Sequence, residues 1–306
     1  MKQIWRIILL CLGLYFCGNA AANNEFELPN FSLIAKQADW FFYGIVTNED
    51  GEHYNYVFQF QRDKHKFHTI AVLMSEQLNK PLLYEEGSAY IDDPDRMHWK
   101  IGATFLQFNA INNSWVFGVK TKDGKGFNFK VDMLRLSNSN DKFLAKHKDL
   151  YTGLKLLIGH TGRLNGHLKL DKDSPEEFVI ANQSWLRQIW IDKMLHIHKF
   201  TQPVQAVLCD FNNGSGFYAV HVQESRALQG AVAGWLDRSG NNVPMSQFVT
   251  VNHQHDGIWR IHIPVPKSSF SLKDIAVKKD SQLILGPIDG NNPGFCSISQ
   301  YHLPIV

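Results

Sequence analysis

YNYVFQFQR, residues 54–62, is the stretch that decides the architecture. Tyr54, Tyr56, Phe58 and Phe60 fall on one side of a period-two pattern, with Asn55, Gln59 and Gln61 on the other. That alternation is the mark of a strand with two unlike faces. KFHTIAVLM (66–74) follows after a short polar break and continues the theme. SWVFGVK (114–120) and GFNFKVDML (126–134) flank TKDGK, which predicts a hairpin with Asp123-Gly124 in its turn. EEFVIANQSWLRQIWI (176–191) supplies one or two further strands. Beyond it come VQAVLCDF, GFYAVHVQ, QGAVAGWLD, SQFVTVN and GIWRIHIPV, spaced by turn sequences such as Asn212-Asn213-Gly214 and His255-Asp256-Gly257. Many short strands at close spacing predict an all-β antiparallel sandwich or barrel. Two segments alone read as helical, FSLIAKQADWF (31–41) and DKFLAKHKDLYTG (141–153).

The first residues read as an export signal. Lys2 and Arg6 precede the apolar run IILLCLGLYFCG (7–18), and Ala20-Ala21-Ala22 offers a cleavage site. The run is too short for an ordinary membrane span. Residues 1–22 are therefore expected to be removed, leaving an exported, periplasmic or secreted chain without a membrane span. Loss of Lys2 and Arg6 leaves 29 basic residues against 29 acidic. With no basic block, a nucleic-acid partner is not indicated. Cys209 and Cys296 remain, and pairing in an oxidising compartment would be worth roughly 4 kcal/mol for so long a loop. Two small buried thiols are the alternative.

The interruption Thr201-Gln202-Pro203 within HKFTQPVQ (198–205) divides the remainder into β-domains at 23–200 and 201–306. No nucleophile elbow, phosphate loop, dinucleotide fingerprint or zinc-protease motif occurs, so no cofactor is expected. Gly214-Ser215-Gly216 reads as a hairpin turn. His196 and His198, and again His253 and His255, would each place two imidazoles on one strand face, a weak metal-site candidate that needs a third ligand such as His262, Asp192 or Asp256.

NQSWLRQIWID (182–192) gathers the other candidates: Trp185, Arg187, Gln188, Trp190 and Asp192. On an unbroken strand Trp185 and Trp190 must face opposite sides. Arg187 could grip an anionic head group while an apolar tail enters the barrel, or it could pair with an acid across the domain interface. Aromatic core is the plainest reading of both rings, and an exposed carbohydrate-stacking platform is another.

Asp39-Trp40-Phe41-Phe42-Tyr43-Gly44, the strand YNYVFQFQR, and Gly166 followed by Ser184-Trp185-Leu186-Arg187-Gln188-Ile189-Trp190 resemble the landmarks of the carotenoid 1,2-hydratase (hydroxyneurosporene synthase) and AttH-like family. Asp210-Phe211-Asn212-Asn213-Gly214 is similar to the opening of that family's second domain. The resemblance implies two packed lipocalin-like antiparallel β-domains with few short helices, and fungal Diels–Alderases share the plan. It also implies a pocket for an apolar small molecule, such as a lipid or isoprenoid, with Trp40, Trp185, Arg187, Gln188 and Trp190 as lining residues. Two residues after the first tryptophan, where the family carries an acid, this chain carries Arg187. Asp192 is then the remaining local proton donor. The chain is expected to be a binding protein of this fold, or else a cofactor-independent enzyme on an apolar substrate, or an interaction module.

Overall fold

A computed structural model of the chain describes residues 32–78, 80–133, 148–151, 153–191, 203–222, 230–239, 241–275, 277–278, 282–290 and 292–302. Its first thirteen strands are β1 (Gln37–Asn48), β2 (His53–Asp63), β3 (Lys66–Ser75), β4 (Lys80–Tyr90), β5 (His98–Ile101), β6 (Thr104–Asn109), β7 (Ser114–Lys120), β8 (Gly126–Asp132), β9 (Lys148–Tyr151), β10 (Leu154–His160), β11 (Leu164–Lys169), β12 (Glu177–Ala181) and β13 (Trp185–Ile191). Nine follow: β14 (Pro203–Phe211), β15 (Gly216–Val222), β16 (Ala231–Leu236), β17 (Asn242–Val243), β18 (Thr250–His253), β19 (Ile258–Ile263), β20 (Ser268–Lys273), β21 (Leu283–Asp289) and β22 (Gly294–His302). All pairings are antiparallel. The first sheet runs β4-β3-β2-β1-β12-β11-β8-β7-β6-β5 and curls into a barrel; the second runs β17-β16-β15-β14-β22-β21-β20-β19-β18 and makes a half-barrel.

The long strand β1 organises the first sheet. Its end at Thr47–Asn48 pairs with β12, while Ala38–Tyr43 pairs with β13. β13 in turn pairs with β10, and β10 with β9. This branch gives β1, β2 and β13 two buried faces, so nearly every residue of Ala38–Tyr43 is out of water.

The face turned into the barrel is aromatic. Phe42 stacks on Phe117 at 4.3 Å, Phe58 lies 5.0 Å from Phe117, and Phe127 stacks on Phe129 at 4.6 Å. Trp40 sits 5.1 Å from Trp99, which stacks on Phe60 at 5.7 Å. Each such pair adds about 0.5–1.5 kcal/mol beyond the area it removes from water. The opposite face of β1, β2, β3, β10 and β13 packs on β14, β15, β21 and β22 through one apolar cluster that includes Phe41, Tyr43, Val57, Ile189, Leu208, Tyr218 and Phe295. A second cluster, with Cys209, Phe217, Ile261 and Ile298, fills the half-barrel.

Two readings of the sequence change here. FSLIAKQADWF is not a helix: after a single helical turn at residues 32–34 the chain enters β1 at Gln37. In DKFLAKHKDLYTG, Lys148–Tyr151 form β9, and residues 141–147 lie outside the described part. The hairpin at Asp123-Gly124 forms between β7 and β8, with Gly124 at φ 83°. Gly214-Ser215-Gly216 joins β14 to β15 as a hairpin turn.

Candidate functional site

The alternation of β13 sorts its residues. Trp185, Arg187 and Ile189 face the second sheet, whereas Leu186, Gln188 and Trp190 face the barrel interior. Gln188 accepts a hydrogen bond from the Ser32 hydroxyl at 2.6 Å, and Trp40 Nε1 donates to that same hydroxyl at 3.2 Å. Trp40 and Gln188 thus belong to the packed interior, and Trp185 and Arg187 do not share a chamber with them.

Arg187 is held in a buried ion pair. Its Nη2 donates to Asp39 Oδ2 at 2.7 Å, both side chains being 0% exposed. Its Nη1 donates to Ser299 Oγ on the second sheet at 2.8 Å, and its guanidinium lies 4.4 Å from the centre of the Phe41 ring. Gln59 Nε2 donates to the other Asp39 oxygen at 2.6 Å. Asp39 and Arg187 sit on neighbouring strands, Asp39 lying two residues along β1 from Phe41, the register partner of Arg187. The pair therefore satisfies the charge within the first sheet and ties it to β22. Asp192, His196 and His198 fall outside the described residues. His253 is exposed and packs 4.9 Å from Trp259, and His255 lies in a short exposed 3-10 turn. Among the described residues no group of three or more His, Cys, Asp or Glu is placed to hold a metal ion.

The chemistry converges at the other end of the sheet–sheet contact. His160, Trp185, Tyr43, Val57 and Val72 stand side by side across β10, β13, β1, β2 and β3. Facing them, Gly216, Asp210 and Phe295 stand side by side across β15, β14 and β22. Trp185 Nε1 donates to Asp210 Oδ1 at 2.7 Å, and the Tyr43 hydroxyl donates to the Phe295 carbonyl at 2.5 Å. His160 meets Trp185 edge-on at 4.0 Å, and Tyr218 meets it at 5.8 Å. Gly216 makes the approach possible, since a Cβ there would lie 2.5 Å from Trp185 Cζ2 and 3.1 Å from His160 Nε2.

Asp210 is the titratable group of this row. Burial pushes its carboxyl up to about 7, and the Trp185 N–H pulls in the opposite direction. A carboxyl that loses its proton near neutrality can both give and take one at working pH. The residue is half-buried, so solvent reaches its edge. Burial also holds the Tyr43 hydroxyl well above its usual range, with the Asp210 charge adding to the effect, so Tyr43 stays a neutral donor. Beside Asp210, Cys209 and Cys296 stand opposite one another on β14 and β22 and are disulfide-bonded. Asp210 itself did not stand out as a reactive group in the sequence. The available signal was an acid near the end of the largely apolar strand VQAVLCDF.

No family model matches the chain, and no curated protein matches it. Solved structures do. The chain is similar to the crystal structure of an AttH-type protein from Nitrosomonas europaea, with a TM-score of 0.56 and 11% identity over 92% of this chain and 97% of that one. It is also similar to kievitone hydratase from Nectria haematococca, with a TM-score of 0.56 and 10% identity over 88% of this chain and 89% of the other. CghA with Sch210972 follows at a TM-score of 0.50 and 9% identity, again over 88% and 89%. At such identities the likeness concerns the fold, which is the AttH-like lipocalin plan.

Proposed function

We propose that the chain binds an apolar small molecule along the seam between its two sheets and performs acid–base chemistry on it, with Asp210 as the group that moves the proton. The observation that carries this reading is a carboxyl raised to about 7, gripped by an indole N–H and walled by aromatic rings. Strong perturbation of a titratable group in a cleft is a physical pointer to function. Hydration or isomerisation of an alkene needs a proton donor, aromatic faces for the developing cation and a nearby base. Asp210, Trp185, Tyr218 and His160 supply those parts with no cofactor. The likeness to kievitone hydratase in fold supports a reaction of this class. Arg187, already paired, is a structural residue in this reading, and Trp40 and Gln188 are supports of the barrel. The buried disulfide supports export, since such bonds persist in oxidising compartments. The chain divides in function at the β13–β14 connection, with the first sheet contributing Trp185 and His160 and the second contributing Asp210.

A carbohydrate-stacking platform fits less well. Among the described residues Trp40, Trp99, Trp115 and Trp185 are fully buried, and Trp235 stacks on Phe211 at 4.7 Å.

Protein recovered from its own host and extracted with organic solvent tests the proposal. Wild type should release one apolar molecule and Asp210→Asn a different one, the unconverted substrate. Identical extracts, with no interconversion when the compound is resupplied between about pH 5 and pH 9, would reduce the function to binding. No apolar molecule from either protein would remove the seam as a ligand site.

A further inference from the structure

Asn55 is 1% exposed, and among the described residues neither its Oδ1 nor its Nδ2 has a hydrogen-bond partner. Buried amides are ordinarily paired, because water is lost and must be replaced. The fold obeys that rule nearby: Asn48 gives its Nδ2 to Glu52 and Glu177, and its Oδ1 receives the N–H groups of Asp50 and Glu52. Asn55 is therefore an exception with a definite address. On β2 it lies two residues from Val57, so it shares the face that meets the second sheet, and its register partner Met74 belongs to the same apolar cluster. Strand spacing places its backbone on the order of 8 Å from that of Tyr43 and ~12 Å from that of Trp185. A ligand lying against Asp210 and Trp185 with a polar end in this direction would meet it.

We propose that Asn55 anchors the polar end of the seam's apolar ligand, and that this end is a hydroxyl or enol, a group that gives and takes a hydrogen bond at once. An alkene or aromatic body about 10 Å long, carrying one such oxygen at its far end, matches the span between the carboxamide and the carboxyl. The inference rests on the reading of the seam as a ligand site.

Isothermal titration of the full chain with 2-naphthol and with 2-methoxynaphthalene separates the two ideas. Wild type should prefer 2-naphthol by about tenfold or more, the worth of a buried polar group left unpaired. Asn55→Leu should bind both compounds alike, with a melting temperature in their absence equal to or above wild type. Should the larger side chain prevent folding, Asn55→Ala carries the same binding expectation. A preference that survives in these variants, or equal binding by wild type, overturns the role of Asn55 alone. So does a marked loss of unliganded stability in Asn55→Leu, which would make the amide structural. If neither compound binds wild type, the seam is not a site for such ligands and both readings fall.

Discussion

Replacing Asp210 with asparagine should make the protein more stable at alkaline pH while abolishing turnover. Burial raises the folded-state pKa to about 7 from an ordinary 3.8, so between those values the folded protein keeps a proton that the unfolded chain has released. Stability contributed by this group is therefore fully present below about pH 4, declines as pH climbs toward 7, and is flat above. At about 1.4 kcal/mol per pH unit the ceiling is about 4 kcal/mol. Partial exposure of Asp210 brings the expected value below that ceiling. Asparagine preserves the Oδ1 that accepts from Trp185 Nε1 and carries no charge to bury. Urea or thermal unfolding of both proteins from about pH 4 to pH 9 isolates the effect, because every other titration is shared and cancels in the difference. The asparagine variant should gain on wild type progressively up to about pH 7, by roughly 8 °C in melting temperature at most for a chain of this size. A difference that stays constant with pH would refute the raised carboxyl. A variant that is less stable than wild type at pH 8 would do the same, and the acid–base proposal would lose its proton carrier.

Arg187→Ala should cost about 3–5 kcal/mol in equilibrium unfolding, because it leaves Asp39 charged and buried without its partner. Arg187→Met combined with Asp39→Leu should recover most of that loss, and a single variant as stable as wild type would contradict the structural role. Gly216→Ala should disturb the Trp185–Asp210 contact, lowering stability by about 1–3 kcal/mol and moving the pH profile of turnover, since its Cβ would lie 2.5 Å from the indole. Denatured but unreduced protein should show no free thiol at Cys209 or Cys296 by mass-shift labelling, and the double alanine variant should be less stable by about 2–4 kcal/mol.

The sequence was most legible where the two faces of a strand differ in chemistry, or at a plain hairpin. YNYVFQFQR alternates because its rings point into the barrel and its polar residues toward the second sheet, and the Asp123-Gly124 hairpin follows from its turn residues. It misled where both faces are dry and no alternation marks them. SLIAKQADWF carries apolar residues on every side because β1 is covered by the barrel core within and the second sheet without, and such a run is easily taken for a helix. The same geometry hid the partner of Arg187. Asp39 is distant in sequence and comes alongside only through the β1–β13 register. Opposite faces for Trp185 and Trp190 could be read from their odd spacing. That Trp185 would meet Asp210 could not, since it depends on the stacking of one sheet upon another.

The packing of the barrel bears on where a ligand can lie. A lipocalin-like barrel suggests a ligand inside it, yet here the interior is occupied by Trp40, Phe42, Phe58, Phe60, Trp99, Trp115, Phe117 and their neighbours, all in ring contact and out of water. A molecule entering that space would have to break several aromatic contacts, each worth about 0.5–1.5 kcal/mol, and leave their surfaces unfilled. The seam is closely packed as well, but it carries polar groups that a ligand could meet. There a glycine stands opposite an indole, a carboxyl sits at a half-buried edge, and an asparagine has neither amide atom paired among the described residues. A filled barrel makes a rigid wall, and β13 hangs Trp185 from that wall at a fixed height above Asp210. Chemistry at a raised carboxyl needs such fixed neighbours, because its pKa depends on keeping water out. Apart from Tyr43 and Trp185, the aromatic residues of the first sheet then support the proposed site and do not line it.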